Sequence, residues 1–193
     1  MASVLDDLEL VHPLTRAEWR AWLAANHARS RGVWLVTWKK ATGRPRLHYE
    51  EAVEEALCVG WIDSLVRGLD DDRARLLYTP RRAGSAWSRP NKLRVDRLIE
   101  AGLMTPAGLA VVEAARADGS WSRLDEVEDL IEPPDLVAAL EADPAARRNW
   151  DAFPPSARKA MLWWIIDARR PETRARRIEE TARLAAQGVR ARG

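Results

Sequence analysis

The sequence is poor in cysteine and histidine, and these shortages exclude several kinds of site. Among the 193 residues there are one cysteine, Cys58, and three histidines. A single cysteine cannot form an intramolecular disulfide, which is typical of proteins in a reducing compartment. The histidines are far apart and show no metal-ligand spacing, so we predict no metal site. Cys58 is near the end of a predicted helix, where the helix dipole does not favour a thiolate, and we expect a buried thiol rather than a nucleophile.

Long apolar runs and nucleotide-binding loops are also missing. No apolar segment approaches the roughly 18 residues that a membrane-spanning helix needs. Residues 1–10 lack the basic stretch and apolar run of a secretory signal. The glycine-rich phosphate and dinucleotide loops and the G-x-S-x-G elbow of hydrolases do not occur, so we predict no cofactor. We therefore expect a cytoplasmic protein without a membrane span.

Tryptophan, in contrast, is abundant. Ten tryptophans stand against two tyrosines and one phenylalanine, in a chain that is 47% hydrophobic and 31% charged. This composition is typical of a globular protein. Because tryptophan combines a large apolar surface with an N–H that needs an acceptor, the sequence predicts a tryptophan-rich core. The alternative is that some of the rings are kept for binding.

Local patterns in the first part of the chain predict helices around a small sheet. Thr15 and Glu18 form a capping box that begins the first helix, and Asn26 is a candidate for its end. Residues 32–40 are apolar on both faces, which predicts a central strand. Residues 61–81 predict a hairpin that turns across three aspartates.

The fold class follows from the order of these elements. We expect an α+β fold, with an antiparallel or mixed sheet of about three strands packed with helices and followed by a helical C-terminal segment. The domain boundaries predicted are 1–120 for the α+β domain and 121–193 for the helical C-terminal domain. In the latter, residues 161–166 are apolar on every side of the predicted helix, which indicates either a core helix or an interface.

The hairpin supplies a register argument for a polar site. If Asp71 is the centre of the loop, Asp63 lies opposite Thr79 and Trp61 lies opposite Arg81. Because side chains alternate along a strand, these four would share one face at the open end of the hairpin.

The chain that follows the hairpin extends this corner. It contributes Arg82, Ser85, Trp87 and Ser88, with Asn91 one turn into the next helix. A helix N-terminus with two arginines beside it favours a phosphate or carboxylate. The alternative is purely structural: Asp63 and Arg81 form an ion pair, Ser88 caps the helix and the tryptophans pack.

Several of these segments resemble one protein family. Residues 47–64 and 78–82, with Ser85, Trp87, Ser88 and Asn91, are similar to the YdeI/OmpD-associated family, also labelled bacteriocin protection. Residues 169–178 resemble the end of the family's helical C-terminal domain. The resemblance implies a bacterial protein linked to stress and to tolerance of cationic antimicrobial peptides. It supplies no catalytic residue.

Three functions remain open on this basis. The favoured one is a non-catalytic protein that binds an anionic small molecule or an acidic protein partner at the predicted corner. The second is an enzyme in which Asp63 is the acid or base and Arg81 stabilises negative charge. The third is nucleic-acid binding by the C-terminal helices, since the chain from Pro154 onward is basic. The arginines of this basic segment alternate at helical spacing with Glu172, Glu179 and Glu180. Such spacing favours ion pairs within the helix and weighs against the third function. The sequence sets no oligomeric state.

Overall fold

The computed structural model describes residue 5 and residues 7–192. Much of the N-terminal segment used in the argument about a secretory signal lies outside these described residues. The described part divides into two compact units, one ending at Trp121 and the other beginning at Ser122.

The N-terminal unit contains a four-stranded mixed sheet. Its strands are β1 (Leu10–Val11), β2 (Val33–Trp38), β3 (Trp61–Gly68) and β4 (Arg73–Pro80), in the spatial order β1-β2-β4-β3. The short β1 is parallel to β2, whereas the other pairs are antiparallel. The α+β prediction is confirmed, and the apolar strand β2 is internal, as its two apolar faces indicated.

Helices with clear start signals surround this sheet. The Thr15 hydroxyl accepts a hydrogen bond from the Glu18 N–H at 3.2 Å, which is one half of the predicted capping box. The other half differs, because the Glu18 carboxylate accepts from the Leu14 N–H at 2.7 Å. A short 3₁₀ turn, Lys40–Thr42, follows β2. The helices of this unit are α1 (Arg16–Asn26), α2 (Tyr49–Cys58), α3 (Arg89–Glu100) and α4 (Pro106–Ala117).

The C-terminal unit is helical throughout its secondary structure. Proline is the first residue of four of its helices, because the ring supplies a helical φ and the missing N–H has no partner there in any case. The helices are α5 (Asp125–Glu128), α6 (Pro134–Glu141), α7 (Pro144–Ala152), α8 (Pro155–Ile166) and α9 (Pro171–Ala186).

Each unit has its own hydrophobic core. The N-terminal core contains the fully buried rings of Trp19, Trp61 and Tyr78, together with Trp87. In the C-terminal core, Met161 and Leu162 of α8 are 0% exposed. The apolar run of α8 therefore supplies core residues of its own unit.

A β-bulge corrects the predicted register of the hairpin. Near the turn, Val66 lies opposite Leu76, as a loop centred on Asp71 requires. Between Asp63 and Val66 the register shifts by one residue, because β3 carries one more residue than β4 there. Beyond the bulge Asp63 lies opposite Tyr78.

The predicted pairs at the open end are consequently wrong. Trp61 lies opposite Pro80 rather than Arg81, and Ile62 rather than Asp63 lies opposite Thr79. Since a slip of one residue exchanges the two faces of a strand, Trp61 and Asp63 do not share a face with Thr79. The corner predicted from the register does not form as one unit.

Candidate functional site

Arg81 directly follows β4, and its guanidinium folds back over the loop that leads to α3. Its backbone N–H donates to the Gly60 carbonyl at 3.0 Å, which fixes the start of the loop beside β3. The Nη2 group donates to the carbonyl oxygens of Ala86 and, at 3.5 Å, Ser85. The guanidinium carbon lies 3.7 Å from the centroid of the Trp87 ring, so the cation stacks on the aromatic face.

Trp87 gives this arginine a rigid support. The ring is only 2% exposed and belongs to the N-terminal core. It also contacts the ring of Trp121, with 5.0 Å between the centroids. Because a buried indole has little rotational freedom in a close-packed core, the position of the guanidinium is set by the core rather than by a flexible loop.

The charge of Arg81 has no carboxylate partner among the described residues. Burial lowers the pKa of Arg81 to about 10, and no acidic side chain offsets this effect. The guanidinium nevertheless remains protonated at neutral pH. Its Nε is buried without a hydrogen-bond acceptor. A desolvated cation without a counter-charge costs free energy, which a bound anion would recover.

A small cavity lies beside this cation. Its volume is about 100 Å³, room for several waters or for one molecule of about half a dozen heavy atoms. One side is formed by the loop after β4, and the other by α4 and the residues that follow it. The lining residues are Arg81, Arg82, Ala83, Gly84, Ser85, Trp87, Val111, Ala114, Ala115, Asp118 and Ser120.

Asp63 lies in a different polar cluster. Its Oδ2 accepts a hydrogen bond from the Tyr49 hydroxyl at 2.9 Å. Burial and this bond raise the pKa of Tyr49 to about 12. Burial also raises the pKa of Tyr78, whose hydroxyl has no hydrogen-bond partner among the residues that the structure describes. Arg81 takes no part in these contacts, so the predicted Asp63–Arg81 partnership is not formed.

Trp61 is a core residue rather than part of a binding surface. The side chain is 1% exposed, and its N–H donates to the His27 carbonyl at 3.3 Å. Its ring also contacts Trp22 edge-on, with 6.1 Å between the centroids. The structure thus places Trp61 in the tryptophan-rich core that the composition predicted.

The remaining predicted residues divide between the cavity and α3. Arg82 and Ser85 line the cavity with Arg81, and the Ser85 hydroxyl donates to the Arg82 carbonyl at 2.6 Å. Ser88 precedes α3, but its side chain makes no capping hydrogen bond. The Asn91 Oδ1 accepts a hydrogen bond from Arg94 at 2.8 Å, and Asn91 does not line the cavity.

Comparison with known families gives two matches along the chain. Residues 11–111, just over half of the chain, match the family model described as a domain of unknown function (DUF8412). Residues 129–188 match the model described as bacteriocin-protection, YdeI or OmpD-associated. The chain belongs to the DUF8412 family and carries a YdeI/OmpD-associated C-terminal segment. No curated protein and no solved structure matches it.

The two matches divide the features described above. The YdeI/OmpD-associated match covers helices α6 to α9 and confirms the resemblance that the sequence suggested. The motif residues around the hairpin lie in the DUF8412 match. That match includes the Arg81 loop and Val111, whereas the cavity residues from Ala114 to Ser120 follow it.

Sequence reasoning missed the far side of the cavity. Asp118 and Ser120 lie at and beyond the C-terminal end of α4, distant in sequence from Arg81. No local motif connects these two parts of the chain. The one residue that could have connected them is Trp121, whose ring packs on Trp87, but nothing in the sequence distinguishes it from the other tryptophans.

The structure also bears on metals, thiols and membranes. In the described residues, no group of three or more acidic, histidine or cysteine side chains could hold a metal ion. Cys58 is 4% exposed, and burial raises the pKa of its thiol to about 11, in agreement with the predicted buried role. Within the same residues, every helix is too short or too polar to cross a lipid bilayer.

Proposed function

We propose that this chain is a non-catalytic binding protein whose cavity beside Arg81 takes a small anion. The observation that supports this is the half-buried Arg81 guanidinium, which has no carboxylate partner among the described residues and adjoins a cavity of about 100 Å³. A cavity of this size is below the usual range for a whole cofactor. It suits a small carboxylate or phosphate, or the acidic end of a larger partner.

The biological setting belongs to the same proposal. The C-terminal match is described as bacteriocin protection, which supports a role in tolerance of cationic antimicrobial peptides or of stress in bacteria. The single buried cysteine agrees with a reducing, cytoplasmic location. In that setting, occupation of the Arg81 cavity would control the protective role of the chain.

The geometry gives less support to an enzyme built on Asp63 and Arg81. Asp63 pairs with Tyr49, whereas Arg81 contacts the Ser85 and Ala86 carbonyls and the Trp87 ring. From the register, the two positions are about three residues apart along the ladder, or roughly 10 Å. A base and an anion stabiliser that act on one substrate need closer and convergent side chains.

The proposal is tested by thermal unfolding of the full chain with acetate or inorganic phosphate. At ten times its Kd a ligand stabilises by about 1.4 kcal/mol, which raises Tm by roughly 3–6 °C for a chain of this size. We expect Arg81→Gln to abolish the rise and Arg81→Lys to retain part of it, since lysine keeps the charge but loses the planar donor set.

The matched control is Arg97→Gln. Arg97 lies on α3 with a side chain that is 63% exposed, so this variant removes the same charge from a solvated position. Equal shifts in wild type and Arg97→Gln, with no shift in Arg81→Gln, support the site. Equal shifts in all three proteins, or no shift in wild type with either anion, would show that the cavity does not bind small anions.

A further inference from the structure

The Arg81 cavity is lined by one acidic residue, Asp118, in addition to Arg81 and Arg82. This residue ends α4, and its backbone N–H donates to the Ala114 carbonyl. The carboxylate accepts a hydrogen bond from the N–H of Ser120 at 2.9 Å. Hydrogen bonds from Ser120 and Gly84 lower the pKa of Asp118, so this group is an anion at neutral pH.

Arg81 and Asp118 line one cavity without neutralising each other. They form no ion pair in the structure, because the guanidinium donates to the carbonyls of Ser85 and Ala86. The cavity is therefore lined by Arg81, by the exposed Arg82 and by the exposed carboxylate of Asp118, which is not paired with Arg81.

The space between the two charged poles, the guanidinium and the carboxylate, is small and partly apolar. Val111, Ala114 and Ala115 have apolar side chains, and Trp87 has an aromatic one. The volume of about 100 Å³ allows a ligand of about half a dozen heavy atoms. A ligand whose two charged ends are joined by one to three carbons fills such a space. An amino acid with a large side chain does not fit.

We infer that the ligand of this cavity is a small zwitterion of the amino-acid class, with its carboxylate on Arg81 and its ammonium group on Asp118. This inference rests on the proposed role of Arg81 as the anion-binding group. Charge complementarity at both poles distinguishes the amino-acid class from a simple anion. A dianion such as phosphate gains at Arg81 but is repelled by the Asp118 carboxylate.

The inference is tested by calorimetric titration of the full chain with small compounds that carry a carboxylate, an ammonium group or both. Acetate and methylammonium each supply one pole, while glycine, β-alanine and γ-aminobutyrate supply both at increasing separation. We expect one of the three zwitterions to bind at least about tenfold more tightly than acetate, which corresponds to one added charge-assisted hydrogen bond. The best chain length measures the separation of the two poles.

Variants assign the ends of the ligand. Asp118→Asn keeps an oxygen for the Ser120 N–H but removes the charge, so it should abolish the advantage of the zwitterion and leave acetate affinity equal or higher. Asp96→Asn is the matched control, since Asp96 is an exposed acid on α3 whose side chain is 52% exposed. Arg81→Gln should abolish binding of both acetate and the zwitterion, and the unliganded Tm of each variant shows that it folds.

The outcomes separate this inference from the proposed function. If acetate binds but no zwitterion binds more tightly, or if the advantage survives Asp118→Asn, the zwitterion assignment is wrong and the anion site stands. If a zwitterion binds equally well to Arg81→Gln, the assignment of its carboxylate is wrong. If neither acetate nor any zwitterion binds to wild type, both proposals are overturned.

Discussion

At the scale of single residues, the arginines of this chain show two opposite uses of the same side chain. Arg16 and Arg20 both donate to the buried carboxylate of Glu55, which is 2% exposed and lies on α2. Arg81 contacts carbonyl oxygens and an aromatic face, and in the described part of the chain it has no carboxylate partner. The first arrangement stabilises the fold by joining α1 to α2. The second leaves a charge available for a ligand.

The Glu55 cluster yields a prediction about stability and pH. Burial alone would raise the pKa of Glu55, but hydrogen bonds from Arg20 and Arg16 hold it below the usual value. We expect Glu55→Gln to lower the free energy of unfolding by about 1.5–3 kcal/mol at pH 7, since it removes charged hydrogen bonds at a buried position. Urea unfolding at pH 7 and at pH 3 measures this loss of stability and its dependence on pH.

The direction of the pH effect follows from the lowered pKa. The stabilisation by Glu55 is complete above the ordinary glutamate pKa, about 4.3, and is lost as pH falls through the lower value of the folded state. The difference between wild type and Glu55→Gln should therefore shrink towards pH 3. Glu50→Gln is the control, because Glu50 is 60% exposed in its pair with Arg94 and should cost under about 1 kcal/mol. An undiminished difference at pH 3 would contradict an ionised Glu55.

At the scale of elements, the close approach of α4 to α2 shapes the cavity. Thr105, at the start of α4, donates from its N–H and its hydroxyl to the Cys58 carbonyl, at 2.9 and 2.8 Å. A Cβ on Gly108 would lie 2.2 Å from that same oxygen, so only glycine fits there. This contact fixes α4 and hence the position of Asp118 at its far end.

Gly108→Ala tests this contact. The added methyl group meets a backbone oxygen rather than a flexible side chain, so α4 must move. We expect a loss of about 1–3 kcal/mol in unfolding free energy, measured by urea unfolding, together with weaker acetate binding. Gly68→Ala is the control, since nothing lies within 4 Å of a Cβ there. If both variants are as stable as wild type, the approach of the two helices is looser than the structure shows.

At the scale of the whole molecule, the chain builds two cores from two differently patterned segments. The N-terminal unit packs helices on a mixed sheet, and the C-terminal unit packs helices on one another. The boundary at Ser122 falls between the two family matches, which end at residue 111 and begin at residue 129.

Because each unit has its own core, a large-to-small substitution in one core should destabilise that unit and leave the other unchanged. Leu162→Ala should destabilise the C-terminal unit by about 2–5 kcal/mol, since Leu162 is fully buried on α8. Hydrogen exchange should become faster in helices α6 to α9 and stay unchanged in β2 and β4. Leu57→Ala, in the N-terminal core, should show the reverse pattern. Uniform acceleration in both units by either variant would indicate one cooperative unit.

The sequence alone determined most of the local structure. Thr15 and Thr105 cap their helices, prolines begin four C-terminal helices, and the apolar strand β2 is internal. These features depend on interactions within a few residues, or on a period that the side chains show directly. Arg81, Arg82, Ser85 and Trp87 could be named for the same reason, because they are neighbours in one loop.

The tertiary structure decided how those residues are used. Neither Ser64 nor Leu65 at the β3 bulge is a glycine that would signal it, so the register error that separated Asp63 from Arg81 could not be seen in the sequence. Asp118 reaches the cavity only because α4 packs against α2 at Gly108. Register and helix packing are set by contacts between distant parts of the chain, so a local sequence pattern does not predict them.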